Sequence, residues 1–253
     1  MAAPSNKLDA AFARRGAHLV CYLPVGDPRL TFDFTALYAD CGVDIVELGM
    51  PARHPFADGP LIAGSMRRAF DAGSRFDTPW RAGDSPPDGL AFVAMTYPEF
   101  EWRKFLASPH GWHVDGFLMV GFHGQPDVPV MIRQLHAHNI HVIDFLAADF
   151  GDDDIARLAG GTSYIMLQAA EGLTGARPSL NEDNAHKIAR LRQAGIRRPI
   201  LLGFGISTAE QARRAIALGA DGVIIGSACI AHALEGAPSL ATFVSEIREA
   251  LDD

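Results

Sequence analysis

The sequence predicts an α/β fold, a single-domain (β/α)8 barrel over residues 1–253, on three observations. Short apolar runs recur roughly every 25–30 residues, and eight can be counted. Amphipathic stretches at helical spacing separate them. The runs are continuous rather than alternating, which suits strands buried on both faces of a parallel sheet. Strand–helix alternation then leaves a closed barrel or a doubly wound open sheet. The first turn, Pro24-Val25-Gly26-Asp27-Pro28, lacks the GxGxxG that normally marks the open sheet, so the barrel is preferred.

The expected strands are 18–24, 44–49, 90–96, 116–120, 141–146, 163–167, 199–203 and 222–225. Helices are expected at 32–41, 60–72, 99–106, 128–138, 152–159, 182–194 and 208–218, with a last one near 240–251. Ser207 followed by Glu210 has the spacing of a capping box. Asp152, Asp153 and Asp154 place negative charge at the positive end of a helix. Gly42, Gly195 and Gly219 fall where left-handed residues end helices. The Pro/Gly-rich stretch 81–89 has the composition of a linker, but too little chain precedes it to build a separate core. It is assigned to a loop.

With 253 residues, 48% hydrophobic and 21% charged, the chain buries enough surface to exclude disorder, a mini-protein and a fibrous repeat. A net charge of −8, from 22 basic and 30 acidic residues, argues against nucleic acid while leaving room for a local anion pocket. Cys21, Cys41 and Cys229 have no CxxC spacing and read as reduced thiols in apolar surroundings. The N-terminus has no apolar signal core and no run is long enough to span a membrane, so a cytoplasmic location is expected.

Function in such a barrel sits in the loops after the strands. In the second run, alternation places Glu47 on the same face as Ile45 and Gly49. If that face is the interior, the carboxyl is desolvated and suited to proton transfer near neutrality. The alternatives are a Glu paired with a base or one facing a helix. Asp58 follows on the loop before the next helix, where it is either a second site carboxylate or an N-cap. Gly203-Phe204-Gly205-Ile206-Ser207 and Gly226-Ser227 follow the last two runs, where barrels grip phosphate with backbone N–H groups. A short extra helix starting near Ser227 would add its positive end. Gly175, in the long loop after the sixth run, could help cover the site. His136, His138 and His141 cluster near a helix end on the opposite face, and no metal is expected. His54 lies between Glu47 and Asp58, where its ring could matter.

These residues resemble the α subunit of tryptophan synthase. The likeness is carried by Val25-Gly26-Asp27-Pro28, Glu47-Leu48-Gly49-Met50-Pro51, Ala57-Asp58-Gly59-Pro60 and Arg68-Ala69-Phe70. It resumes at Gly172-Leu173-Thr174-Gly175-Ala176, Gly203 to Ser207 and Gly226-Ser227-Ala228. The resemblance implies a lyase that cleaves indole-3-glycerol phosphate to indole and glyceraldehyde 3-phosphate without metal or organic cofactor. It implies Glu47 as the acid/base at indole C3 and Asp58 as the carboxylate on the indole N–H. Gly203, Gly205, Gly226 and Ser227 match the phosphate-binding stretch, with Gly175 helping, and Tyr22 and Tyr97 match aromatic residues against the substrate.

The sequence departs from the family at Ala52-Arg53-His54, at Gly121-Phe122-His123-Gly124, at Ala169-Ala170 and at Met166, which replaces a frequent tyrosine. Several departures fall in loops through which the family contacts its β subunit. They leave three readings: an enzyme that releases indole without a partner, a lyase for a different phosphorylated substrate, or a non-catalytic ligand-binding subunit. Arg53 and His54 would favour the second by adding positive charge. Retention of both carboxylates argues against the third.

Overall fold

The computed structural model describes residues 6–75, 89–107, 114–122, 125–158, 161–175 and 180–253. Most of the stretch 81–89, together with His123, Gly124, Ala159 and Ala176, lies outside them.

The chain begins with α1 (Lys7–Ala13), β1 (His18–Pro24), α2 (Phe34–Asp40), β2 (Ile45–Gly49), α3 (Pro60–Asp71) and β3 (Ala91–Thr96). It continues through α4 (Trp102–Ala107), β4 (Gly116–Met119), α5 (Val128–Ala137), β5 (His141–Leu146), α6 (Asp152–Leu158) and β6 (Ile165–Gln168). The last elements are α7 (Asp183–Gln193), β7 (Ile200–Gly203), α8 (Ala209–Ala217), β8 (Gly222–Ile225), α9 (Ser227–Glu235) and α10 (Ala237–Asp252). The eight strands pair in parallel in chain order and β8 returns to β1, closing the (β/α)8 barrel.

Most strands bury two faces, which is why their sequences are continuously apolar; β5, with His141 and Asp144, is only partly buried. Val20, Ile45, Val93, Leu118, Met166, Leu201 and Ile224 fill the interior. Their neighbours Leu19, Val46, Phe92, Phe117, Leu167, Leu202 and Val223 pack outward against the helices. Cys21 and Cys229 are buried, Cys41 is half-buried, and all three thiols are free.

Strand starts differ from expectation where a polar residue does a local job. Asp44 lies just outside β2 because its carboxylate accepts the Leu19 N–H at 2.8 Å and pairs with Arg14 at 2.6 Å. β6 begins at Ile165 rather than Ser163, in register with Ile200 of β7. The cap of α8 is also shifted. Thr208, not Ser207, is the N-cap, accepting from Gln211 N, while Gln211 rather than Glu210 reaches back to Ser207 N at 2.8 Å. Gly42, Gly195 and Gly219 do take positive φ, at 74°, 87° and 99°.

Helix α1 was not anticipated, because seven residues carry too little periodicity to register. Its N-cap Asn6 donates to Asp115 O at 2.8 Å and Asn139 O at 2.7 Å, tying it to the rims of β4 and β5. Leu8 seals the barrel floor above Gly116, where an added Cβ would stand 2.8 Å from Leu8 Cδ1. At the opposite end, Asp27 is buried and takes a forked ion pair from Arg68 at 3.1 and 2.6 Å, fastening the loop after β1 to α3.

Candidate active site

Glu47 occupies the inward face of β2, in register with Tyr22 on β1 and Val93 on β3. It is 3% exposed, and its Oε2 has no hydrogen-bond partner among the described residues. Burial, and after it the negative charge of Asp58, pushes its pKa up to about 8. Among the described residues no base pairs with it, and it faces the barrel interior rather than a helix.

Asp58 is 5% exposed on the loop between β2 and α3. Tyr97 donates its hydroxyl to Oδ2 at 2.5 Å, and Thr174 donates to Oδ1 at 3.2 Å. Burial raises the pKa to about 6, while the two hydroxyls oppose that rise. Asp58 does not cap α3; the N-cap is Gly59, with no side-chain cap. At pH 7 these shifts hold the two carboxyls in different states. Glu47 carries a proton and Asp58 a charge.

Both carboxyls face a cavity at the C-terminal mouth of the barrel. Ile62, Met95, Leu118, Val120, Phe145 and Met166 make its apolar walls. The same cavity is lined by Phe204, Gly205 and Ile206, then by Gly226, Ser227 and Ala228. Phe204 and Gly205 both have positive φ, 72° and 92°, turning the backbone around that end. Gly226 is the N-cap of α9 and, as glycine, supplies no side-chain cap, so the first turn of the helix opens on the cavity with its N–H end. An added Cβ at Gly226 would stand 2.8 Å from Ile62 Cδ1, so glycine permits the close approach.

Of the expected site residues, Glu47, Asp58, Gly175, Gly205, Gly226 and Ser227 line this one cavity. Tyr22, Tyr97 and Gly203 do not. Tyr22 is fully buried with its hydroxyl against Gly49, where an added Cβ would fall 1.8 Å from the oxygen. Tyr97 stands behind Asp58. Gly203 leaves room for Met166, whose Cε would lie 2.9 Å from an added Cβ.

Arg53 and His54 are exposed and outside the cavity. Their N–H groups both donate to Glu99 Oε1, at 2.6 and 2.9 Å, and the Arg53 guanidinium lies 4.9 Å over the Phe70 ring. They add no charge to the pocket, which removes the ground for a differently charged substrate. Gly121, at φ 75°, also has a local reason. An added Cβ would meet Phe56 Cζ at 2.2 Å, and Phe56 packs edge-on to Tyr97. His138 bonds the Gln134 carbonyl of its own helix, and His141 lies between Asp9 and Thr162.

Sequence reasoning missed Thr174, which touches Asp58 and lines the cavity. A hydroxyl residue flanked by Leu173 and Gly175 was the available signal.

The sequence model of a family described as tryptophan synthase alpha chain matches residues 8–250. The tryptophan synthase alpha chain of Synechococcus elongatus is 33% identical over 265 residues, covering 100% of this chain and 98% of that one. That of Geobacter sulfurreducens is 34% identical over 251 residues, covering 92% of each chain. In fold, the chain superposes on Mycobacterium tuberculosis tryptophan synthase with a TM-score of 0.76 at 22% identity, covering 97% of this chain and 96% of that one. The chain belongs to the tryptophan synthase alpha chain family.

Proposed function

We propose that this chain cleaves indole-3-glycerol phosphate to indole and glyceraldehyde 3-phosphate, the reaction of its family, with Glu47 and Asp58 as the reacting carboxyls. One observation carries the assignment of roles. Two buried carboxyls face the same cavity with pKa values raised to about 8 and about 6.

Ring carbon C3 of indole is a weak base, so its protonation needs a neutral acid held away from water. Glu47 supplies it. Protonation places positive charge on the indole nitrogen, and ionised Asp58 accepts the ring N–H and offsets that charge. The carbon–carbon bond then breaks as the side-chain hydroxyl becomes an aldehyde. The Glu47 carboxylate takes the hydroxyl proton, leaving the enzyme's proton count unchanged. Gly205, Gly226 and Ser227 form the phosphate end through backbone N–H groups and the Ser227 hydroxyl, with Gly203 in the strand behind them, Gly175 closing one side and the aromatic rings of Tyr22 and Tyr97 backing the reacting end. The apolar walls suit an indole ring.

We also propose turnover without a β subunit, because the Thr174 contact to Asp58 is made within the single chain. The test is to incubate the purified chain alone with indole-3-glycerol phosphate and follow indole release. Turnover alone supports both statements, and turnover only with an added β subunit removes the second. Absence of turnover even then sinks the substrate assignment.

A further inference from the structure

Gln168 ends β6 at the barrel mouth and does not line the cavity. Its amide is used in two directions. The Ala148 N–H, in the loop after β5, donates to Oε1 at 3.1 Å, and Nε2 donates to the Gly172 carbonyl at 2.9 Å. The orientation of the amide is settled by these partners, since one is a donor and the other an acceptor.

Gly172 turns the chain with φ 93°, and two residues later Thr174 reaches the site. The Gly59 N–H donates to Thr174 Oγ1 at 2.7 Å, and that hydroxyl donates to Asp58 Oδ1 at 3.2 Å. The fit is close: an added Cβ at Gly59 would lie 1.9 Å from the Thr174 carbonyl oxygen. Fully buried Asn184 donates to Ala169 O at 3.0 Å and Asn181 O at 2.8 Å, holding the base of the same loop.

We propose that Gln168 is a positioning residue whose amide holds the Gly172 turn so that the Thr174 hydroxyl stays on Asp58. Its value to catalysis rests on the reading of Asp58 as acceptor of the indole N–H. The loop is thus set by side chains of this chain, at a position that touches no reacting atom.

The test reads Asp58 directly. The full chain carrying 13C-labelled Asp is titrated without ligand, and the Asp58 carboxyl signal is assigned by its loss in Asp58→Asn. The titratable groups facing Asp58 are Glu47, Tyr22 and Tyr97, and none is altered by changes at 168 or 174. Thr174→Val removes a hydrogen bond to the carboxylate and raises its pKa by roughly half a unit or more. Gln168→Leu is expected to raise it in the same direction by a similar amount, and the double variant by no more than either alone. Gln168→Met keeps the side-chain length without adding charge and loses both hydrogen bonds of the amide. It should behave like Gln168→Leu, and it serves if the leucine variant does not fold.

In turnover, kcat/KM should fall more at pH 6 than at pH 8, because the variant site is less ionised there. An unmoved Asp58 titration in both Gln168 variants, with Thr174→Val shifted, overturns the proposal. So does full additivity of the two changes. If the wild-type chain fails to cleave indole-3-glycerol phosphate while the titration coupling is present, the substrate assignment falls and the positioning role stands.

Discussion

The charge of Asp58 helps to keep the proton on Glu47, although burial of Glu47 is the larger cause. Replacing Asp58 with Asn removes the smaller contribution only. The Glu47 carboxyl, followed by 13C NMR, should then titrate below about 8 but still well above its ordinary 4.5. A return to the ordinary value would show that burial is not the main cause.

The same pair sets a pH profile. Asp58 must be ionised and Glu47 protonated, so kcat/KM should rise as pH passes about 6 and fall as pH passes about 8. Activity that keeps climbing beyond pH 9 would deny Glu47 its role as acid.

Glu47→Gln should lower the cleavage rate by about 10²–10⁴-fold, the usual worth of a positioned acid or base, with phosphate-ligand affinity little changed. It should also alter stability. The folded pKa of Glu47, about 8, lies above the ordinary 4.5, so its favourable contribution is complete below pH 4.5 and is lost as pH rises through 8. Gln cannot ionise. Chemical denaturation at pH 9 should therefore find the variant more stable than wild type by several kcal/mol, and at pH 4 nearly equal. Equal stability at both pH values would argue against a buried, unpaired Glu47.

Ser227→Ala should weaken binding of a phosphate ligand severalfold while leaving Tm nearly unchanged, since Ser227 opens α9 at the cavity and is only half-buried. Calorimetric titration with glyceraldehyde 3-phosphate measures the first and thermal denaturation the second. Unchanged affinity would count against this phosphate end.

Arg68→Ala should cost about 3 kcal/mol, because it leaves the fully buried Asp27 carboxylate without its partner. Urea unfolding measures this, and a change within experimental scatter would show that Asp27 is neutral or otherwise held.

Much of the fold was legible in the sequence, as were six of the residues that line the cavity. Continuous apolar runs declare strands covered on both faces, and strict alternation places Glu47 and Ile45 on one face, which the closed barrel turns inward. The glycines after β7 and β8 announce a backbone that turns sharply or is closely approached. These are local rules, with periods of a few residues, so one stretch of chain states them completely. What tertiary structure alone decided is which side chains meet across large separations in sequence. Asp58 reads locally as a helix cap, yet its two partners lie 39 and 116 residues away. Arg53 reads as a charge beside the site, yet Glu99 and Phe70 draw it to the surface. Hydrogen bonds and ion pairs between distant loops leave no periodic trace in a sequence, because the barrel, not the neighbouring residues, brings their ends together.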